Sequence, residues 1–160
     1  MNKRATHDAE VVTLVSLLKV ATRIGRPMRD GVADPEQVSV TELRIVLVLG
    51  GEGGLAGHEL AELMAMQPMN VSRALASLSK MGFVEMVDNQ DNRRRKPYHL
   101  TPLGRRKYDD MRIRMREVAD FMFDGFNETD RKNVGKLLSK LDRRLVEWQS
   151  PPELHHVPRA

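Results

Sequence analysis

The chain has 160 residues, enough to bury a core unaided, and no cysteine, which excludes disulfides and thiol-based chemistry. It carries 26 Lys and Arg against 22 Asp and Glu, a net +4 that favours an acidic partner such as nucleic acid. No run of about eighteen apolar residues exists, which excludes a helical membrane span, and the polar stretch Met1 to Glu10 lacks the apolar centre of a secretion signal; a cytoplasmic protein is expected.

Val11 to Arg29 is predicted as the first helix. Val11, Val12, Leu14, Val15, Leu17, Leu18, Val20, Ala21 and Ile24 occupy more of its circumference than one stripe needs, so it must be covered on several sides. In a chain this short, a second copy of the protein is the expected cover. Pro27, Gly31 and Pro35 are expected to break up the following connection. Ser39 and Glu42 have the spacing of a capping box, in which serine and glutamate satisfy each other's free N–H groups. Leu43 to Leu49 continues as a buried second helix. Gly50-Gly51-Glu52-Gly53-Gly54 is not followed by the Lys-Ser or Lys-Thr of a phosphate loop and reads as a flexible link.

Two short helical patterns come next. Leu60 and Leu63, with Met64 beside them, make the apolar face of the first, and Ala65 to Gln67 is a tight connection. Pro68 suits the first turn of a new helix, where its missing N–H costs nothing. Val71, Leu75 and Leu78 give this helix one buried stripe, while its other face carries Asn70, Ser72, Arg73, Ser77 and Lys80. Gly82 ends it in the left-handed cap position. The pattern is a helix-turn-helix, whose second helix has the shape to lie in a DNA major groove. Phe83 to Val87 and Tyr98 to Leu100 read as the arms of a hairpin, with Asp88 to Pro97 as its loop. Arg93, Arg94, Arg95 and Lys96 stand in a row there. From Asp88 to Lys107 seven basic residues meet two acidic ones, a local +5 that exceeds the +4 of the whole chain. A positive field concentrated in this way is the footprint of a phosphate-backbone partner.

Thr101 is placed to cap a long helix with Pro102 at its first position, and Met111, Met115, Val118, Met122 and Phe126 give it a sustained stripe. From Thr101 to Asp124 it would be about 36 Å long, close to the roughly 34 Å between successive turns of one DNA groove. A last helix, from Asn127 or Thr129 to Trp148, presents Val134, Leu137, Leu138, Leu141, Leu145 and Trp148. Ser150-Pro151-Pro152 stops it. His155, His156 and Glu153 then fall in what reads as a tail, not a metal site. No Ser-His-Asp spacing, helical HExxH or cluster of inward carboxylates appears, so neither an enzyme nor a cofactor is expected.

The sequence resembles the MarR family of winged-helix transcriptional regulators. The resemblance rests on Glu59-Leu60-Ala61, Val71-Ser72-Arg73, Leu78-Ser79-Lys80-Met81-Gly82-Phe83-Val84, Asp91-Asn92-Arg93 and Leu100-Thr101-Pro102-Leu103-Gly104, in that order. The run from the wing to Leu-Thr is one residue longer than the family's usual one, so either Arg93 or Arg94 stands where the family inserts an arginine into the minor groove. The resemblance implies a mainly α fold with a small β wing, in one domain. Residues 39–101 would be the winged helix-turn-helix, 8–30 and 102–149 the dimerisation helices, and 150–160 a tail. It also implies a homodimer on a pseudo-palindromic duplex, acting as repressor or activator, and release by a small organic, often aromatic, acid.

Within the reading helix the expected DNA contacts are Asn70, Ser72, Arg73, Ser77 and Lys80, with Arg73 the best reader of guanine because its fork matches two acceptors on the base edge. In the wing they are Asp91, Arg93, Arg94, Arg95 and Lys96, with Asp91 orienting the inserted arginine. Arg105, Arg106 and Lys107 are either backbone contacts or the helix's solvent face. Leu18, Arg23, Met28, Leu43 and Met111 are the candidate walls of an effector crevice. The competing function, from another class, is a winged-helix module that docks on an acidic protein surface.

Overall fold

The computed structural model describes residues 3–87 and 96–148. Six α-helices and two strands follow in order: α1 (Lys3–Met28), α2 (Val40–Glu52), α3 (Gly57–Leu63), α4 (Pro68–Lys80), β1 (Val84–Met86), β2 (Tyr98–Leu100), α5 (Pro102–Met122) and α6 (Glu128–Val146). The mainly α class with a small β hairpin is as expected. Residues up to 119 form one compact unit and those from 120 a second, and each is described by itself.

In the first unit α2, α3 and α4 close around Leu43, Ile45, Val46, Leu49, Leu60, Val71, Leu75 and Leu78, all buried, and α5 contributes Met111. The stripe read on α4 is the stripe that is buried. On α3 the prediction needs correction. Leu60 and Met64 are buried, but Leu63 is 57% exposed and Ala61 takes its place in the core. Three and four residues both return to one face of a helix, and over a seven-residue helix the pattern is too short to choose between neighbours.

The capping box of α2 is present: the Ser39 amide donates to Glu42 Oε2 at 2.6 Å and the Glu42 amide to Ser39 Oγ at 3.2 Å. The first helix departs from expectation. It begins earlier than Val11, runs through Pro27 and passes into a π-helical turn, Arg29–Ala33, before it stops. Asp34 donates to the Arg29 carbonyl at 2.9 Å, a bond five residues long. The connection expected to break at Pro27 and Gly31 is therefore helical, and it carries Val32 and Ala33 into the core. Gly31 lies where a Cβ would press on Val118 of α5, so its role is close approach and not chain breaking.

The glycine run is also corrected. Gly50 and Gly51 are the last turn of α2, and the helix stops at Gly53, whose φ of +88° suits glycine. A Cβ on Gly50 would enter the Tyr108 ring and one on Gly54 the His99 ring. Both are contact surfaces for aromatic side chains rather than a flexible link.

The hairpin pairs antiparallel, Val84 with Leu100, Glu85 with His99 and Met86 with Tyr98. Leu55 adds a one-residue bridge, its amide and carbonyl bonding the Tyr98 backbone at 3.2 and 2.9 Å. Thr101 then locks the hairpin to α5. Its hydroxyl donates to the Gly82 carbonyl at 2.6 Å and accepts from the Gly104 amide at 3.0 Å, the N-cap bond expected of it. Gly104 sits against the Phe83 carbonyl, with no room for a Cβ.

In the second unit Asn127 caps α6 through Asp130, with reciprocal bonds of 2.9 and 3.2 Å. The Phe123 and Phe126 rings meet edge to face at 5.6 Å.

Candidate nucleic-acid interface

Three turns in the first unit share one geometry. After α4, Phe83 donates to the Leu78 carbonyl and Gly82 to the Ser79 carbonyl, with Gly82 at φ +73°. After α3, Met66 donates to Ala61 and Ala65 to Glu62, with Ala65 at φ +49°. Before α2, Val38 donates to Ala33 and Gln37 to Asp34, with Gln37 at φ +56°. Each pair of bonds satisfies carbonyls that a helix end leaves free, and each requires one left-handed residue. Only at Gly82 is that residue glycine, and only there did the sequence point to a left-handed cap. The α3–α4 turn is held further by Arg44, whose Nη2 donates to the Met64 carbonyl at 3.0 Å.

With its stripe buried, α4 exposes Asn70, Ser72, Arg73 and Lys80. Arg73 Nη2 donates to the thioether of Met69, one turn earlier, at 3.5 Å. Ser77 differs from the other four. It is half-buried, and its side chain hydrogen-bonds the carboxylate of Glu42, itself 9% exposed. Burial pushes the Glu42 carboxyl up, but the hydrogen bonds from Ser77 and from Ser39 outweigh it and hold the group below its ordinary value. The capping glutamate of α2 thus also faces α4. The spacing of Ser39 and Glu42 showed the cap, but nothing in it showed this second bond.

Two hollows flank α4. One, of about 400 Å³, lies between it and the start of α2 and is lined by Ser39, Thr41, Glu42, Asn70, Arg73 and Ala74. The other, of about 340 Å³, lies between α4, the start of α3 and the base of the hairpin, where Ser72, His58 and Lys96 surround Leu75, Met86 and Tyr98. Lys96 is exposed at the entry to β2. Asp91, Arg93, Arg94 and Arg95 lie outside the described residues.

Residues 38–96, which include α2, α3, α4 and β1, match the family model described as MarR family. Over these residues the chain is similar to the MarR family. An HTH-type transcriptional regulator of Bacillus subtilis, YybA, is 21% identical over 97 residues, 60% of this chain and 65% of that protein; the match thus spans just under two thirds of the relative. Among solved structures, a MarR family transcriptional regulator from Listeria monocytogenes complexed with 26mer DNA superposes with a TM-score of 0.76 at 16% identity, over 84% of this chain and 89% of that one. BpsR of Bordetella bronchiseptica, whose DNA binding is regulated by 6-hydroxynicotinic acid, superposes with a TM-score of 0.70 at 19% identity, over 81% of this chain and 98% of that one.

The five candidate crevice residues are not brought together. Leu43 and Met111 are fully buried in the core and Met28 packs against it. Leu18 and Arg23 stand apart from them on α1, in an open hollow of about 330 Å³ with Val15, Lys19 and Thr22. Periodicity reports which face of a helix is apolar, not whether that face is sealed by a neighbour. The basic residues after Thr101 also separate. Arg105 donates to the Gly50 carbonyl at 3.1 Å and lies over the Tyr108 ring at 5.2 Å. Lys107 Nζ pairs with Glu36 at 2.7 Å, and Arg114 Nε pairs with the same carboxylate at 2.8 Å. Arg106 is exposed. Burial raises the Glu36 carboxyl, and the two cations more than offset it, leaving it below its ordinary value. Glu36 ties the end of the π-helical turn to α5, and the sequence offered no sign of it.

Proposed function

We propose that this chain is a DNA-binding transcriptional regulator of the MarR family, acting as a repressor, that holds a pseudo-palindromic duplex as a homodimer and is released by a small aromatic acid. The observation that carries the reading is the division of α4. Val71, Leu75 and Leu78 seal the core while Asn70, Ser72, Arg73 and Lys80 stand exposed on the opposite side, with Lys96 at the foot of the hairpin. Exposed polar side chains on a helix of this length can reach base edges, and cations beside them meet phosphate. The DNA complex of the Listeria protein supports this reading, since it uses the same fold. Two-fold symmetry is supported by α1, which leaves Val12 66% and Leu18 60% exposed, and by α6, which leaves Leu137, Leu141 and Leu145 exposed. A small acid as the releasing ligand is supported by the response of BpsR to 6-hydroxynicotinic acid, and by the apolar wall and two cations of the α1 hollow.

Selection of bound duplexes from a random pool tests the reading. A symmetric consensus, bound with an affinity that falls steeply as salt rises, is the expected result. Recovery of no preferred sequence, or an affinity indifferent to salt, overturns it.

A further inference from the structure

Ten methionines and no cysteine leave thioethers as the sulfur of this chain that an oxidant can reach. Most are packing material: Met64 is 6% exposed and Met111 fully buried. Two described methionines are exposed, Met69 at 65% and Met86 at 49%, and both lie beside the residues read as meeting DNA. Met86 lines the hollow shared with Ser72 and Lys96. Met69 does more, because its sulfur is the acceptor for Arg73 Nη2.

We infer that Met69 is an oxidation site through which a peroxide weakens DNA binding, by turning the acceptor beside Arg73 from a thioether into a sulfoxide. The inference rests on the DNA-binding reading given above. The thioether lone pair attacks one peroxide oxygen, an S–O bond forms and the O–O bond breaks. The departing oxygen leaves as water after taking up a proton. Sulfur loses two electrons and the peroxide gains them. A thioether is a weak acceptor, so in the reduced protein Arg73 leaves it readily for a base edge. A sulfoxide oxygen is a strong acceptor at the same place on the helix, one turn away, and holds the guanidinium by a charge-assisted bond. It also adds a polar atom that must lose its water wherever α4 enters a groove. Loss of one bidentate arginine contact corresponds to about tenfold in affinity, within the range of such contacts. The lesion is reversible by a methionine sulfoxide reductase, so the effect is a switch and not damage.

The full-length protein is treated with hydrogen peroxide and titrated by fluorescence anisotropy against a duplex selected from the random pool. Sulfoxide is located by peptide mass spectrometry. Met69 is expected to oxidise before Met64 and Met111, affinity to fall about tenfold, and reductase to restore it. Met69→Leu, compared with its own untreated form, is expected to change less than about twofold, because the acceptor is gone, while Met86→Leu responds as the native chain does. Affinity unchanged with Met69 fully oxidised overturns the inference alone, as does an equal loss in Met69→Leu. Failure of the untreated protein to bind any selected duplex overturns the DNA-binding reading and this inference with it, so the two failures are told apart by the untreated control.

Discussion

Ala65 occupies a left-handed conformation, φ +49°, at the turn between α3 and α4, where its amide and that of Met66 close the end of α3. An L-residue with a Cβ is disfavoured there by about 1 kcal/mol relative to glycine. Ala65→Gly is therefore expected to raise the unfolding free energy by about 1 kcal/mol, less the entropy glycine adds to the unfolded chain, measured as a rise in urea midpoint. Gly104 is the converse. A Cβ there would collide with the Phe83 backbone, so Gly104→Ala should cost on the order of 3 kcal/mol and split the hairpin from α5. Glu36 offers a test in pH. Its folded carboxyl lies below the ordinary value, so the stabilisation is fully present above the unfolded pKa and is lost as pH falls through the lowered folded one. Glu36→Gln should be less stable than the native chain by about 2 kcal/mol at neutral pH, with the gap closing in acid below about pH 4. Parallel urea titrations of the two proteins check this; a gap that stays constant in acid would remove the carboxylate from the account.

At the scale of elements, α4 is where the reading is most exposed to experiment. Arg73→Ala should relax sequence choice, lowering affinity for the selected duplex by about tenfold while changing non-specific binding little. Lys96→Ala should weaken binding to all duplexes alike and reduce the salt slope by about 1. Equal behaviour of the two variants would mean that α4 meets only phosphate. Ser77→Ala should act differently again, lowering affinity through the setting of α4 because its hydroxyl is engaged with Glu42. What could be read in the sequence at this scale follows from period. The stripe of α4 and the caps at Ser39 and Thr101 each depend on residues within four positions of the next, and local spacing reports local structure. The π-helical turn, the glycines packed on Tyr108 and His99, and the Glu36 pairing with Lys107 and Arg114 join positions more than forty apart in most cases. At Gly31, Gly50 and Gly54 local preference marks a break, and the close approach of Val118, Tyr108 and His99 overrides that preference.

For the molecule as a whole the outstanding quantity is apolar surface. Every described residue of α6 from Leu137 to Leu145 in its apolar stripe is exposed, Leu145 at 68%, and Trp148 beyond it is 61% exposed. On α1, Val11, Val12, Leu14, Val15, Leu18 and Val20 are all exposed as well. Covering the exposed half of one such leucine contributes on the order of 1 kcal/mol, and a handful of them on each of two copies together reach the cost of association. Sedimentation at micromolar concentration is expected to give twice the 18.2 kDa chain mass. Leu18→Asp with Leu141→Asp, both exposed sites that need not disturb the core, should return the mass of one chain. The same variant should bind a symmetric duplex at least about 100-fold more weakly, because the second half-site no longer benefits from the high local concentration that linkage supplies. Its affinity for a single half-site should match that of the native chain, since α4 is untouched. A native protein that sediments as one chain at tens of micromolar yet binds the symmetric duplex in full would separate recognition from dimerisation and require the exposed leucines to serve some other partner.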